Sequence, residues 1–342
     1  AILTLVVDPS FRIATASDDG TAKLWSVASG ECLHVLDGHT RGGCRHAVFS
    51  PSGKQVLTVG GTAKLWIAAA GDCLCTLSVH GRSVLSAEFS PDGQKVVTVM
   101  EHGTAKLWCV SSGECLCTME GHRDELRSAV FSSDGQQVLT ASCDCTAKLW
   151  SVVSGECLCT MEGHRHYVNS ATFSPDQQHV ITASCDRTAK LWSAASGECR
   201  LSLRGSDRGA VLSAAFSPDC RLVVTAGGVA KLWSAASGEC VHTLQGHGQR
   251  VASAVFSPYG QQVLTACWNN TAQLWSVASG ECLHTLSGPD EGCPVNAAVF
   301  SPDGQQVVTA SADGTAKLWS VWSGECLHTF EHGDAVYDAT FG

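Results

Sequence analysis

Hydrophobic positions along this chain come in short runs of alternating sides, and the runs recur on a fixed beat. Around Trp150 the order begins with Ser128-Ala129-Val130-Phe131, a Ser132-Ser133-Asp134-Gly135 turn, and Gln136 through Ser142. A Cys143-Asp144-Cys145 loop then leads into Thr146-Ala147-Lys148-Leu149-Trp150, a Ser154-Gly155-Glu156 turn and Cys157-Leu158-Cys159-Thr160-Met161. Two-residue alternation rich in Val, Thr and Phe predicts strands, whereas a helix needs a 3.6-residue period. Two copies of the first turn read Ser-Pro-Asp-Gly in full, at 90–93 and 301–304, and the others vary it. Proline presets φ at the second turn position and glycine relaxes the last. Each unit therefore reads as four strands.

Thr-Ala-Lys-Leu-Trp ends at Trp25, Trp66, Trp108, Trp150, Trp192 and Trp319, and looser copies end at Trp233 and Trp275. The steps between these eight tryptophans are 41 to 44 residues. A fixed period of that length marks a stacked or circular array.

The set Gly-His … Ser-Pro-Asp-Gly … Thr-x-Lys-Leu-Trp, repeated along the whole chain, resembles the WD-repeat family of β-propellers. The resemblance implies an all-β fold: an eight-bladed β-propeller of four-stranded antiparallel blades, one domain over residues 1–342. A ring is physically sensible, because one four-stranded blade cannot bury both faces and closure removes the two open ends. The family's Asp after the Trp is replaced by Ser26, Ser151, Ser193, Ser234, Ser276 and Ser320, and by Ile67 and Cys109. Residues 1–7, ahead of the Asp8-Pro9-Ser10 hairpin, fill the slot of an innermost strand. The tail from His332 to Phe341 matches His164 to Phe173 and supplies another. One ring has room for one of them. We expect the tail to pair into the first blade and set His332 against Trp25; the alternative is a segment of a longer array.

Composition narrows the function. A charged fraction of 16% and a hydrophobic fraction of 44% describe a core-forming chain. A net charge of −10 argues against nucleic acid as a partner. No apolar run reaches the ~18–20 residues of a membrane helix, so no membrane insertion is expected. The apolar opening Ala1 to Val7 lacks the basic flank of a signal peptide. Of nineteen cysteines, eight hold one repeat position: Cys32, Cys73, Cys115, Cys157, Cys199, Cys240, Cys282 and Cys326. Equivalent positions in separate blades lie too far apart to bridge. They read as reduced thiols serving as small strand hydrophobes, which implies an intracellular, reducing compartment, the cytoplasm. Cys75, Cys117 and Cys159, two residues on from three of them, read as packing residues too. Cys143-x-Cys145 with Cys185 lacks a second pair at zinc-like spacing, so no metal or cofactor is expected.

His122, Asp144, Thr140 or Ser142, and Trp150 recur as His164, Asp186, Thr182 or Ser184, and Trp192. A His, an Asp and a hydroxyl look like hydrolase parts. The resemblance implies instead a buried hydrogen-bond network ending on the indole N–H, and one copy per blade is what a framework needs. The set decays where His102 or Asn269 takes the Asp position, where the loops before Trp66 and Trp233 are short, and where Pro289 and Ser206 replace the His. Those blades are expected to be softer. A propeller enzyme would need a unique polar cluster in its channel, and only repeated clusters are visible.

The face carrying the outer-to-inner loops is the better candidate. Those loops hold Arg41, Arg45, Arg82, Arg123, Arg127, Arg165, Arg204, Arg208 and Arg250, and Arg187 lies in the loop before Trp192. Asp124, Glu125, Asp207, Asp290 and Glu291 are mixed among them. Trp268 falls on the same face as a candidate aromatic anchor, with Tyr167 and His166 as weaker ones. Trp322 falls in a turn of the opposite, acidic face. Arginine pairs bidentately with carboxylate and phosphate, so the expected partners are acidic or phosphorylated proteins or peptides. The resemblance implies a rigid, non-catalytic scaffold for protein complex assembly.

Overall fold

Each Thr-x-Lys-Leu-Trp segment is the third strand of a four-stranded antiparallel sheet, and eight such sheets stand side by side as a β-propeller. The structure, a computed structural model, describes residues 11–39, 43–77, 83–205, 209–287 and 293–342. In the Trp150 blade the strands from axis to rim are Leu126–Phe131, Gln137–Ser142, Ala147–Ser151 and Cys157–Met161. Along the third strand Ala147, Leu149 and Trp150 are buried while Lys148 is half-buried.

The tail closes the ring. Val336–Phe341 pairs antiparallel with Arg12–Ser17, setting Ile13 against Phe341 and Ala14 against Thr340. Arg12 N donates to Gly342 O at 3.3 Å and Gly342 N returns a bond to Arg12 O at 2.9 Å. His332 Nε2 lies 2.6 Å from Thr15 Oγ1, which also accepts the Trp25 indole at 2.8 Å. The competing inner strand expected at residues 1–7 lies outside the described residues.

The core is a set of layers between blades. Trp150 packs with Leu126, Ala129 and Val138 of its own blade and with Val97, Leu107 and Met119 of the preceding one. Trp192 does the same against Leu139, Leu149 and Met161. Trp25 meets Val308, Leu318 and Phe330, so the closing interface is built like the others. In all eight blades the indole donates to a threonine hydroxyl on the adjacent strand at 2.7–2.9 Å.

The missing Asp after the Trp has a local replacement. The hydroxyls of Ser26, Ser151, Ser193, Ser234, Ser276 and Ser320 each accept the backbone N–H three residues on, at 3.2–3.3 Å, capping the same turn.

The rim corrects one expectation. Cys32, Cys73, Cys115, Cys157, Cys199, Cys240, Cys282 and Cys326 are exposed rather than packed, and all nineteen cysteines are unpaired. The register shifts in every outer hairpin where Trp faces this Cys, as between Leu149 and Trp150. Blades also diverge with radius, so a neighbour no longer covers the start of the outer strand. The second cysteines Cys75, Cys117 and Cys159 do pack against the inter-blade layers. Leu33, Leu74, Leu116, Leu158, Leu283 and Leu327 share the exposed rim.

A buried Trp covers about 150–250 Å², worth of order 4–6 kcal/mol gross at ~25 cal/mol/Å². Trp150→Ala should therefore destabilise by ~3–5 kcal/mol in chemical denaturation; a shift below ~1 kcal/mol would contradict the layered core.

Candidate functional site

The repeated His, Asp and hydroxyl constellation is sealed inside the blades. His122 Nδ1 lies 2.8 Å from Asp144 Oδ2, and its Nε2 lies 2.8 Å from Thr140 Oγ1, which takes the Trp150 indole at 2.8 Å. His164, Asp186, Thr182 and Trp192 repeat the geometry at 2.7–2.8 Å. Threonine is thus the shared hydroxyl. Ser142 instead binds the carbonyls of Asp124 and Glu125, both at 3.1 Å. The His122 side chain is 0% exposed and that of Asp144 7%, so no substrate reaches them. Burial pushes Asp144 up, but hydrogen bonds from His122, Thr146 and the Arg123 N–H outweigh it and hold the carboxyl well below its usual range. The same balance at Asp186 leaves its pKa at about 2. This is framework chemistry: polar groups satisfied where water is absent.

Incomplete copies show what is lost. His39 Nε2 reaches Thr58 at 2.7 Å, but the short Gly60-Gly61 loop offers no carboxylate and Nδ1 is buried without a partner. His247 keeps its bond to Thr265 at 2.6 Å while Asn269 turns to the His247 carbonyl. Asp313 Oδ2 is likewise buried and unpaired.

The candidate loop-face residues are held in several ways. Arg41, Arg82 and Arg208 lie outside the described residues. Arg123, Arg165 and Arg187 are exposed. Arg127 Nε contacts Cys143 Sγ at 3.0 Å, which occupies one thiol of the Cys143-x-Cys145 pair. Cys185 is engaged by Asn169 at 3.3 Å, and the described residues contain no group of three metal-ligating side chains. Arg45 stands 5.9 Å over the Tyr337 ring. Tyr167 is exposed, with the His166 ring 4.4 Å away. Arg250 and Trp268 meet: the guanidinium sits 5.1 Å over the indole, and the Trp268 backbone N–H donates to the Arg250 carbonyl at 3.1 Å. Trp268 remains 42% exposed, so it neither folds away nor stands free. Trp322, in the opposite turns, is 91% exposed.

One cluster was missed from sequence. His46 Nδ1 lies 2.6 Å from Asp338 Oδ2, which also accepts the Ala47 N–H at 3.3 Å. Glu88 is on the inner strand of the next blade. Other inner strands carry Ser86, Ser128, Ser170, Ser213, Ser253 or Ala297 where His46 and Asp338 stand. The structure thus holds one unrepeated polar cluster along the inner strands, where only repeated ones were expected. Burial pushes Glu88 up to about 7, partly offset by His46. Burial lowers His46, but the charge and hydrogen bond of Asp338 outweigh it and raise its pKa. Since Asp338 belongs to the closing strand and His46 to the second blade, the pair clasps the closure to its neighbour.

Comparison with known proteins supports this architecture. A family model described as the IFT122 first beta-propeller matches residues 83–285. A second, described as WD domain, G-beta repeat, matches residues 2–26, 30–66 and 280–320. The crystal structure of the computationally designed Ika8 protein is similar over 91% of this chain and 93% of its own, with 26% identity and a TM-score of 0.80. A comparison with curated protein sequences returned no match.

The buried imidazoles set a pH dependence. Burial depresses His39, His247 and His332 from 6.5 to about 4, with Lys64 adding to it at His39 and Lys23 at His332. Between those values the unfolded chain binds protons that the fold refuses, so stability falls as pH drops from about 6.5 to 4. Below that, protonation of Asp186 continues the loss down to about 2. His46 and Glu88, both raised, have the opposite sign, contributing below about 6.5 and 4.5 and losing that contribution as pH rises through their folded values. His164, lowered by burial, joins the other three, so four groups oppose two. Denaturation midpoints should fall steadily from pH 7 to 4.5, and His247→Gln should flatten the slope. Equal midpoints at both pH values would contradict the buried neutral histidines.

Proposed function

Because this chain belongs to the WD-repeat β-propeller family, whose propellers generally bind other proteins, we propose that it is a non-catalytic interaction scaffold. Its docking surface is the face that carries Arg45, Arg123, Arg127, Arg165, Arg187, Arg250 and Trp268. The observation that carries this reading is the Arg250–Trp268 pair. A half-exposed indole under a guanidinium, on a loop, combines an aromatic anchor with a cation for an acidic partner. The contrast between parts of the repeat supports it: blade-building positions agree between copies, and loop positions differ. Acidic or phosphorylated peptides suit the arginines, while the net charge of −10 disfavours nucleic acid. Nineteen unpaired thiols fit a reducing, cytoplasmic setting.

A second reading, a structural segment of a longer array or larger assembly, draws on the apolar rim. Outer strands with exposed Leu33, Leu74, Leu116 and Leu158 offer unpaired edges to a neighbouring ring or chain.

Affinity capture with three forms of the protein separates these. Arg123→Glu with Arg165→Glu and Trp268→Ala should lose the partners that wild type retains. A Trp322→Ala form, changed on the opposite face, should keep them. The reverse pattern would contradict the assigned face, and partners lost only on Leu116→Lys with Leu158→Lys would favour assembly through the rim.

A further inference from the structure

On the acidic face, opposite the docking loops, the central channel opens into a depression of about 550 Å³. Five successive blades form it, from Pro175 round to Phe341. Val255 and Val299 of the inner strands line its wall, and the turn prolines Pro218, Pro258 and Pro302 stand at its edge. No charged side chain lines it. The apolar lining follows from strand alternation. Inner-strand residues point by turns into the inter-blade layers and into the channel, and the channel side here carries Ala215, Val255, Val299 and Thr340.

Negative charge surrounds this apolar mouth. Asp176, Asp219 and Asp303 directly follow prolines of its lining. One oxygen of each carboxylate is tied into its own turn. The Ser174, Ser217 and Ser301 hydroxyls donate to it at 2.5–2.6 Å, and the backbone N–H two residues on donates at 3.0–3.1 Å. These bonds hold the carboxyls of Asp176 and Asp219 below the usual range, so both are ionised at neutral pH. The second oxygen of Asp219 meets only the exposed Arg221 guanidinium, at 4.0 Å, and Asp176 is open to solvent. Farther out, the residue ahead of the rim cysteine is an exposed acid in all eight blades, as Glu198 and Glu239 are in two of the blades at the mouth. Among the described residues, the lysines and arginines of this face are Arg12, Lys54, Lys95, Arg200 and Arg221, too few to balance the acids. Tyr259 takes the place of these aspartates in the next turn, and its ring is 73% exposed.

We propose that this mouth docks a lysine- and arginine-rich protein segment that sets one apolar side chain into the depression. The surface is separate from the loop face and stands without that reading. Charge complementarity names the occupant: carboxylates around the opening steer cationic flanks onto it and repel nucleic acid and anionic lipid. Acids alone would draw any cation. The uncharged depression is what selects a segment with an apolar residue between its charges, because burying that residue supplies affinity while the surrounding charges supply orientation. The exposed ring of Tyr259 adds a face on which a guanidinium can stack.

The test uses fluorescence anisotropy with three labelled nonapeptides. One has lysine and arginine flanks around a central leucine, one the same flanks around glycine, and one glutamate flanks around leucine. The intact protein should bind the first at least about tenfold tighter than either of the others, and less tightly as salt rises. Asp176→Asn, Asp219→Asn and Asp303→Asn, made together, should cost about tenfold. Asparagine keeps the oxygen that caps each turn, so the melting temperature should hold and lost binding is not lost folding. Ala215→Arg, which puts bulk and a cation into the mouth, should cost as much. Asp124→Asn with Glu125→Gln, on the loop face, should change nothing. Equal affinity for the leucine and glycine peptides, including no binding of either, would overturn the proposal. Loss on the loop-face pair with none on the triple variant would overturn it too. A stable dimer that excludes the peptide and is dissociated by Ala215→Arg would assign the mouth to a second copy of the chain instead. Failure of the loop-face reading shows separately, as partner capture unchanged by the loop-face variants.

Discussion

No blade of this propeller covers itself. Each sheet buries one face under the tryptophan and inner-strand phenylalanine of the next, and the whole fold follows from that dependence. Trp150 is a member of its own sheet by covalent position and of the preceding sheet by packing, with Val97, Leu107 and Met119 beneath it. The indole N–H is the polar liability of that arrangement, and a threonine hydroxyl meets it in every blade. Where the loop histidine and the turn aspartate also arrive, the hydroxyl is itself held and the turn is tied to the loop. Where they do not, buried atoms such as His39 Nδ1 and Asp313 Oδ2 stand without partners.

A chain of mutually dependent sheets has two open ends unless it closes. Here Val336–Phe341 completes the first sheet, so the last residues of the chain finish what Arg12–Ser17 begins. The closing strand then bonds sideways: Asp338 holds His46 and the Ala47 N–H of the second blade. Asn296 of the last blade donates to the Val336 carbonyl at 2.9 Å, so the closing strand ties its own blade to both neighbours. The His46–Asp338 contact is a polar feature that does not repeat among the described inner strands.

What was legible in the sequence is what is local to one repeat. The spacing of Ser-Pro-Asp-Gly, Thr-x-Lys-Leu-Trp and Ser-Gly-Glu specifies turns and strands a few residues long, and the beat counts the blades. His122, Asp144 and Trp150 were also legible as a set, though the choice of Thr140 over Ser142 needed the strand register. What was not legible depends on radius or on closure. The rim cysteines look like packing residues because alternation shows side and not distance from the axis. His46 and Asp338 sit near opposite ends of the chain and meet only because the ring shuts. Arg165, Arg187 and Arg204 read as scattered loop charge until the Trp192 blade folds them around one groove. Within the chain the blade-building positions repeat from copy to copy, and the loop positions differ.

The most direct test is hydrogen exchange, read by mass spectrometry, on a chain lacking residues 336–342. Mutual cover predicts that protection falls in the segments 12–37 and 46–67 on one side of the gap and 295–331 on the other, with the opposite blades changed least. Unaltered protection in those segments would mean that the sheets stand alone, and the account would be wrong.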